Sequence, residues 1–354
     1  MARDINRVLI IRFSSLGDVL LATPLVRLLR EKYPNSRIDF VVKLEYVELV
    51  RFNPNLTGVM EFDTKRGFPA LRNLKKSINE RKYDVILDLH HSLRSRYLTF
   101  GLAWNPFSRT TVYGIRKNQF IRFLLVKFKI NLYRKIYGRI IPVWEKYIST
   151  AKILGIKKDD GHLEFYFPSE MDEKLVDKLE KWYNRDYVVM APGAKHFTKR
   201  WPAKYFARLV LEIHRKYNLP TLFVGSEDDV SVVEEILSEV PGNVGHSLAG
   251  KLSILQTADL VRRAKLAVSN DSGLMHVAAA LQKPLIAIFG STVEELGFYP
   301  NSINARVLEN SGLYCRPCSH IGRDSCPEKH FRCMREISPD QVMEKIKDIL
   351  NAAD

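Results

Sequence analysis

Three short stretches of the chain carry residue types suited to binding or activating a phosphorylated substrate. The first, Ser14-Ser15-Leu16-Gly17-Asp18, follows the apolar run Val8–Phe13 and places a carboxylate where nucleotide-binding turns commonly carry glycines or a lysine. Such an acid is either a general base for a hydroxyl or a first-turn acid favoured by the helix dipole. The second stretch, "PGAKHFTKRWP", gathers Lys195, His196, Thr198, Lys199 and Arg200 between a strand ending at Met190 and a helix starting near Pro202 as its first residue. Cations, a hydroxyl and a helix N-terminus suit phosphate oxygens, although basic loops are also commonly just solvated. The third, Asn270-Asp271-Ser272-Gly273, ends an apolar run and opens a helix over Leu274–Leu281. There the Ser272 and Gly273 amides offer donors to a diphosphate. Asp271 is a ligand-binding acid or a helix cap, and His276 a ligand-facing or a core histidine.

Weaker candidates lie at comparable places. Glu227, Asp228 and Asp229 follow another apolar run; one of them suits a ribose diol, the others a negatively charged first helical turn. Lys65 and Arg66 in "FDTKRG", with Arg94 and Arg96 in "DLHHSLRSR", offer cations to an anionic substrate.

Positioning these groups requires strands and helices in alternation. Strands are predicted over Val8–Phe13, Arg37–Lys43, Val59–Phe62 and Tyr83–Leu89, then over Tyr187–Met190, Thr221–Val224, Leu266–Ser269 and Pro284–Phe289, with helices between them. That alternation makes parallel sheets covered on both faces. The fold class is therefore α/β, with two doubly wound Rossmann-like domains and a ligand cleft at the carboxyl ends of their strands. The division is placed in "FPSEMDEKLVDKLEKWYNRD", giving domains over residues 1–170 and 185–337 and a final helix within 338–354, capped by Ser338 with Pro339 at its first position.

At 354 residues the chain suits two domains of ordinary size, and 46% hydrophobic with 27% charged residues describes a globular protein. No apolar run is long enough for a membrane span, and the start lacks a signal-peptide pattern. A cytoplasmic location is expected. The formal charge of +15 is concentrated: between Ser92 and Lys152 thirteen Lys and Arg, Arg109 among them, face the single acid Glu145. At its centre, "RKNQFIRFLLVKFKINLYRKIYGR" interleaves cations with Phe and Leu. That pattern suits an anionic membrane surface or a solvated face over an ordinary core helix. Nucleic acid would also be attracted, but no stacked-aromatic or groove-reading motif accompanies the charge. No Gly-x-Gly-x-x-Gly follows a strand, which argues against a dinucleotide-dependent dehydrogenase.

In order and spacing, "GDVLLATPLVRLLREKYP", "PGAKHFTKRWP" and "NDSGLMHVAAALQKPLIAIFGST" resemble the lipopolysaccharide heptosyltransferases of glycosyltransferase family 9. The resemblance runs from the first strand into the cysteine-containing tail. It implies a GT-B fold with an N-terminal acceptor domain and a C-terminal nucleotide-sugar domain. The implied reaction is an inverting, metal-independent transfer of heptose from ADP-L-glycero-β-D-manno-heptose to the lipopolysaccharide inner core. In that pattern Asp18 matches the general base. Thr198, Lys199, Glu227, Asp271, Ser272, Gly273, Leu274 and His276 fall to the donor, and Lys65, Arg66, Arg94 and Arg96 to the acceptor. No catalytic cofactor is implied, and peripheral contact with the inner membrane is expected. The alternatives are a family 9 transferase with another sugar or acceptor, and a catalytically silent nucleotide-sugar or lipid-surface binding protein.

All four cysteines, Cys315, Cys318, Cys326 and Cys333, fall in one stretch near His320 and His330. A C-x2-C pair followed by two further cysteines suits a structural zinc; reduced thiols in a folded loop are the alternative.

Overall fold

The computed structural model describes residues 4–102, 110–169 and 179–351. Arg109 and much of the expected domain junction, residues 170–178, lie outside them. The chain forms two compact units: residues 1–117 with 143–168, and residues 118–142 with 169–354. The sequence reading assigned 118–142 to the first domain; in the structure this basic, Phe-rich segment belongs to the second unit, which also carries the final helix.

The first unit is built on a parallel sheet of β1 (Arg7–Ile11), β2 (Arg37–Lys43), β3 (Gly58–Phe62), β4 (Val85–Asp88) and β5 (Thr111–Gly114), in the order β3-β2-β1-β4-β5. Val8–Ile11 and the centre of β2 are fully buried, as the continuous apolar runs of a two-sided sheet require. Leu9, Ile11, Phe13, Val41, Phe62, Ile86 and Leu98 form its core on one face. The second unit repeats the plan with β6 (Val188–Ala191), β7 (Thr221–Phe223), β8 (Gly245–Ser247), β9 (Leu266–Asn270), β10 (Leu285–Phe289) and β11 (Ala305–Glu309), ordered β11-β10-β9-β6-β7-β8. Every pairing in both sheets is parallel.

Both orders reverse direction once, between β1 and β4 and between β6 and β9. At such a switch point neighbouring loops diverge to opposite faces and leave a crevice at the carboxyl ends. Asp18 follows β1, the 88–96 loop follows β4, the 192–201 loop follows β6, and Asp271 follows β9. The principal candidate residues therefore stand at the switch point of their own sheet.

Three strands, β5, β8 and β11, were absent from the sequence reading. All are edge strands only partly covered, so they lack the apolar run that marked the others. The helix expected after β1 is two helices, Leu16–Leu20 and Thr23–Lys32. Pro24 has no N–H to donate to the preceding turn, and the Thr23 hydroxyl takes the Leu20 carbonyl instead, at 2.7 Å. Pro202 is the cap before the Ala203–Tyr217 helix rather than its first residue, with an extended ψ of 136°. Ser338 caps Pro339–Leu350 as expected, accepting from the Gln341 amide at 3.2 Å.

Candidate active site

Asp18 is the third residue of the Leu16–Leu20 helix. Its side chain is 16% exposed, and its two oxygens accept from four donors. Arg12 Nη2 lies 2.7 Å from Oδ1, and the Tyr147 hydroxyl donates to the same oxygen at 3.0 Å. The Ser15 hydroxyl and amide donate to Oδ2 at 2.9 and 3.2 Å. Burial by itself would raise the Asp18 pKa, but the Arg12 charge and the Ser15 and Tyr147 hydrogen bonds outweigh it and hold the carboxylate below its ordinary range. Tyr147 is shifted the opposite way, by burial and then by the Asp18 charge, and so remains a protonated donor.

Arg12 also donates through Nη1 to the Leu89 carbonyl at 2.7 Å, which fixes the loop after β4 against the loop after β1. In that second loop the Asp88 carboxylate accepts from the His90 and His91 amides and the Ser95 hydroxyl. Burial, followed by the Arg12 and Lys117 charges, pushes the His90 imidazole down to about 4. Arg94 and Arg96 lie exposed on the Leu93–Thr99 helix, with Arg96 Nη2 3.3 Å from the His91 ring. Lys65 and Arg66 are exposed after β3, two strands along the sheet from β1, and Arg66 pairs with Asp63 at 3.2 Å.

In the second unit Lys199 Nζ lies 2.7 Å from Asp271 Oδ2, and the Thr292 hydroxyl donates to the same oxygen. Two residues 72 positions apart in sequence thus meet at the switch point, joined by Thr292 of "FGST". Asn270 fixes the approach: its amide donates to the Pro192 carbonyl at 2.6 Å, and its carbonyl accepts from the Trp201 amide at 3.2 Å. Ser272 caps the Gly273–Ala280 helix, whose first-turn amides have no partner within the helix. Ser272, Gly273 and Leu274 are half-buried there.

The other predicted donor residues are placed differently. Thr198 is 1% exposed, and its hydroxyl is engaged inside the fold, donating to Ser291 Oγ at 3.0 Å and accepting from the Arg323 amide at 2.8 Å. His276 is buried in its helix. Glu227 is exposed after β7, whereas Asp229 folds back onto the Ser226 amide and hydroxyl. A Cβ at Gly193 would stand 1.9 Å from that Asp229 carboxylate, so the glycine makes room for it.

The four cysteines are free thiols. Burial raises Cys315 and Cys318 and pushes Cys333 up to about 12, which keeps these three protonated. Cys315 Sγ lies 3.8 Å from His330 Nε2. A tetrahedral thiolate site with metal–sulfur bonds near 2.3 Å needs sulfurs about 3.8 Å apart. Among the described residues only Asp159, Asp160 and His162 bring three ligand atoms within 4.8 Å. The thiols as placed therefore do not fit a zinc site.

Reading the sequence alone missed Arg12 and Tyr147, and gave no role of their own to Ser15, Asn270 and Thr292, which stand in stretches it singled out. Arg12 had a signal, the one charge in the apolar run Val8–Phe13, and Asn270 a similar one as the polar end of a buried strand. Tyr147 had none, because it reaches Asp18 from 129 residues away.

A model of glycosyltransferase family 9 (heptosyltransferase) matches residues 71–329. The lipooligosaccharide heptosyltransferase 2 of Haemophilus ducreyi is 28% identical, over 97% of this chain and 99% of its own. Two solved structures share the fold. The family 9 glycosyl transferase of Veillonella parvula has a TM-score of 0.79 at 23% identity, covering 99% of both chains. The ADP-heptose lps heptosyltransferase II of Escherichia coli has a TM-score of 0.73 at 21% identity, covering 98% of this chain and 99% of that one. The two parallel-sheet units are thus those of a GT-B fold.

Proposed function

The chain belongs to glycosyltransferase family 9, and from that premise we propose that it transfers heptose from ADP-L-glycero-β-D-manno-heptose to the inner core of lipopolysaccharide, inverting the anomeric centre. The observation that carries the reading is Asp18: an ionised carboxylate, mostly buried, at the switch point of the first sheet. The names of the relatives, a lipooligosaccharide heptosyltransferase and an ADP-heptose lps heptosyltransferase, support the donor and the acceptor class.

The reaction is a single displacement. An acceptor hydroxyl oxygen forms the new bond to the anomeric carbon, the bond from that carbon to the diphosphate breaks, and Asp18 receives the hydroxyl proton. A carboxylate held this acidic is a weak base for a neutral hydroxyl. It becomes sufficient late in the displacement, when the attacking oxygen carries positive charge. All four acceptor positions on Asp18 are filled, so one donor must turn away. Ser15 is exposed and its hydroxyl rotates freely, whereas moving the buried Tyr147 hydroxyl would strand it.

Charge growing on ADP is met by Lys199, released from Asp271, and by the Ser272, Gly273 and Leu274 amides. Preorganised donors of this kind perform the charge stabilisation that a metal performs elsewhere, so the transfer proceeds with EDTA present. Arg94, Arg96, Lys65 and Arg66 suit the carboxylates and phosphates of the inner core.

The test is ADP release from ADP-heptose, with EDTA, using Kdo-terminated and heptose-extended cores as separate acceptors. Release with one core establishes the reaction and distinguishes first-heptose from later-heptose addition. No release with either, from protein that still binds ADP, rejects this donor and acceptor.

A further inference from the structure

The segment 118–142 contains six Lys and Arg and neither Asp nor Glu. Its first helix, Gln119–Phe128, is apolar on two sides. Inward, Leu125 and Ile121 pack with Tyr133, Leu296 and Phe298 of the same unit. Outward, Phe120, Phe123 and Phe128 are 71%, 54% and 57% exposed. At 100° per residue these outward residues fall on one continuous face with Lys127 between them. A helix on a water-facing surface carries its polar residues outward; this one carries aromatic rings there. The next helix, Tyr133–Tyr137, adds Ile136, 54% exposed, beside the exposed Arg134 and Lys135.

The face is held rigidly. Lys129 ends the first helix in the left-handed conformation and donates to the Cys315 and Pro317 carbonyls at 3.0 and 2.7 Å. Asn131 donates to Glu295 at 2.8 Å, and Arg134 lies 3.7 Å from Glu294. The exposed rings are thus mounted on a fixed platform.

We infer that this face docks on the surface of an anionic phospholipid bilayer, with the Phe120, Phe123 and Phe128 rings at the acyl boundary and the surrounding cations against the headgroups. The exposed Lys127, Lys135 and Arg139, in a segment without an acid of its own, beside three phenyl rings, match the negative headgroups and acyl boundary of a bilayer. At ten residues the helix is about 15 Å long, half of a bilayer core, and among the described residues no helix is long and apolar enough to cross one. The helix lies in the interfacial plane. The inference rests on this surface and is independent of which sugar is transferred.

Flotation of the full chain with phosphatidylglycerol-containing and with pure phosphatidylcholine vesicles tests it. Wild type floats with the anionic vesicles, less so at high salt, and not with the neutral ones. Phe120→Ser/Phe123→Ser/Phe128→Ser lowers the bound fraction at least tenfold while its melting temperature and its turnover on an acyl-free acceptor match wild type. If that variant melts early, Lys127→Glu/Lys135→Glu decides: loss of anionic binding supports docking, and unchanged binding overturns it. Equal flotation of wild type and the aromatic variant overturns it too. So does an absence of vesicle binding in a wild type that self-associates through these rings, which would assign the face to a second copy of the chain.

Discussion

Arg12 and Asp18 meet at 2.7 Å between Nη2 and Oδ1, and the same guanidinium holds the Leu89 carbonyl across the switch point at 2.7 Å. One side chain therefore sets both the charge state of the acid and the distance between the loops that follow β1 and β4. Arg12→Gln leaves burial as the largest influence on Asp18, and its pKa rises. The acidic limb of kcat/KM, which wild type shows only below the ordinary carboxylate range, moves to higher pH in the variant. A pH–rate profile checks this; a limb at the same pH in both proteins removes Arg12 from that role.

Asp18→Asn keeps the shape and removes the proposed base. Turnover falls by roughly two to four powers of ten, while calorimetry shows ADP binding with wild-type affinity, because the residues proposed to hold the donor belong to the second unit. Unchanged turnover would show that another group takes the proton.

Ser15 and Tyr147 hydrogen-bond the same carboxylate, yet their removal is not equivalent. Ser15→Ala deletes an exposed, rotatable donor, and kcat changes by less than about threefold, a surface-sized effect. Tyr147→Phe deletes a buried bond to a charge, of about 1.5–3 kcal/mol, so both kcat and the melting temperature fall. The reverse ranking would mean that Ser15, not Tyr147, positions the acid.

Lys199→Ala loses ADP affinity and rate together. It also leaves Asp271, 6% exposed, without its cation, so the ligand-free variant melts earlier. Adding Asp271→Asn recovers the melting temperature and not the affinity. Scanning calorimetry and ADP titration separate the two effects; wild-type ADP affinity in Lys199→Ala would place the diphosphate elsewhere.

His90 titrates near 4 in the folded chain against 6.5 for an ordinary histidine, chiefly through burial. Between those values the unfolded chain holds a proton that the folded chain refuses, so this contribution to stability is lost as pH falls from 6.5 towards 4. His90→Gln loses a smaller share of its urea midpoint between pH 7 and pH 5 than wild type does. Equal losses would show that His90 does not carry this dependence.

Much of this was written locally in the chain. Continuous apolar runs marked the seven central strands, because a strand covered on both faces needs nothing but apolar side chains. Asp18, Lys199 and Asp271 stood out as candidates because each lies in a polar loop that follows such a run. Ser338-Pro339 declared its helix start through cap chemistry that acts within one turn. The tertiary structure alone decided what acts at a distance in sequence. It brought Tyr147 to Asp18 and Thr292 to the Lys199–Asp271 pair, and turned the Thr198 hydroxyl into the fold. It also moved 118–142 into the second unit with its phenyl rings outward. Which side of a helix that is apolar on two sides meets the core depends on what packs against it, and periodicity records only that both sides are apolar.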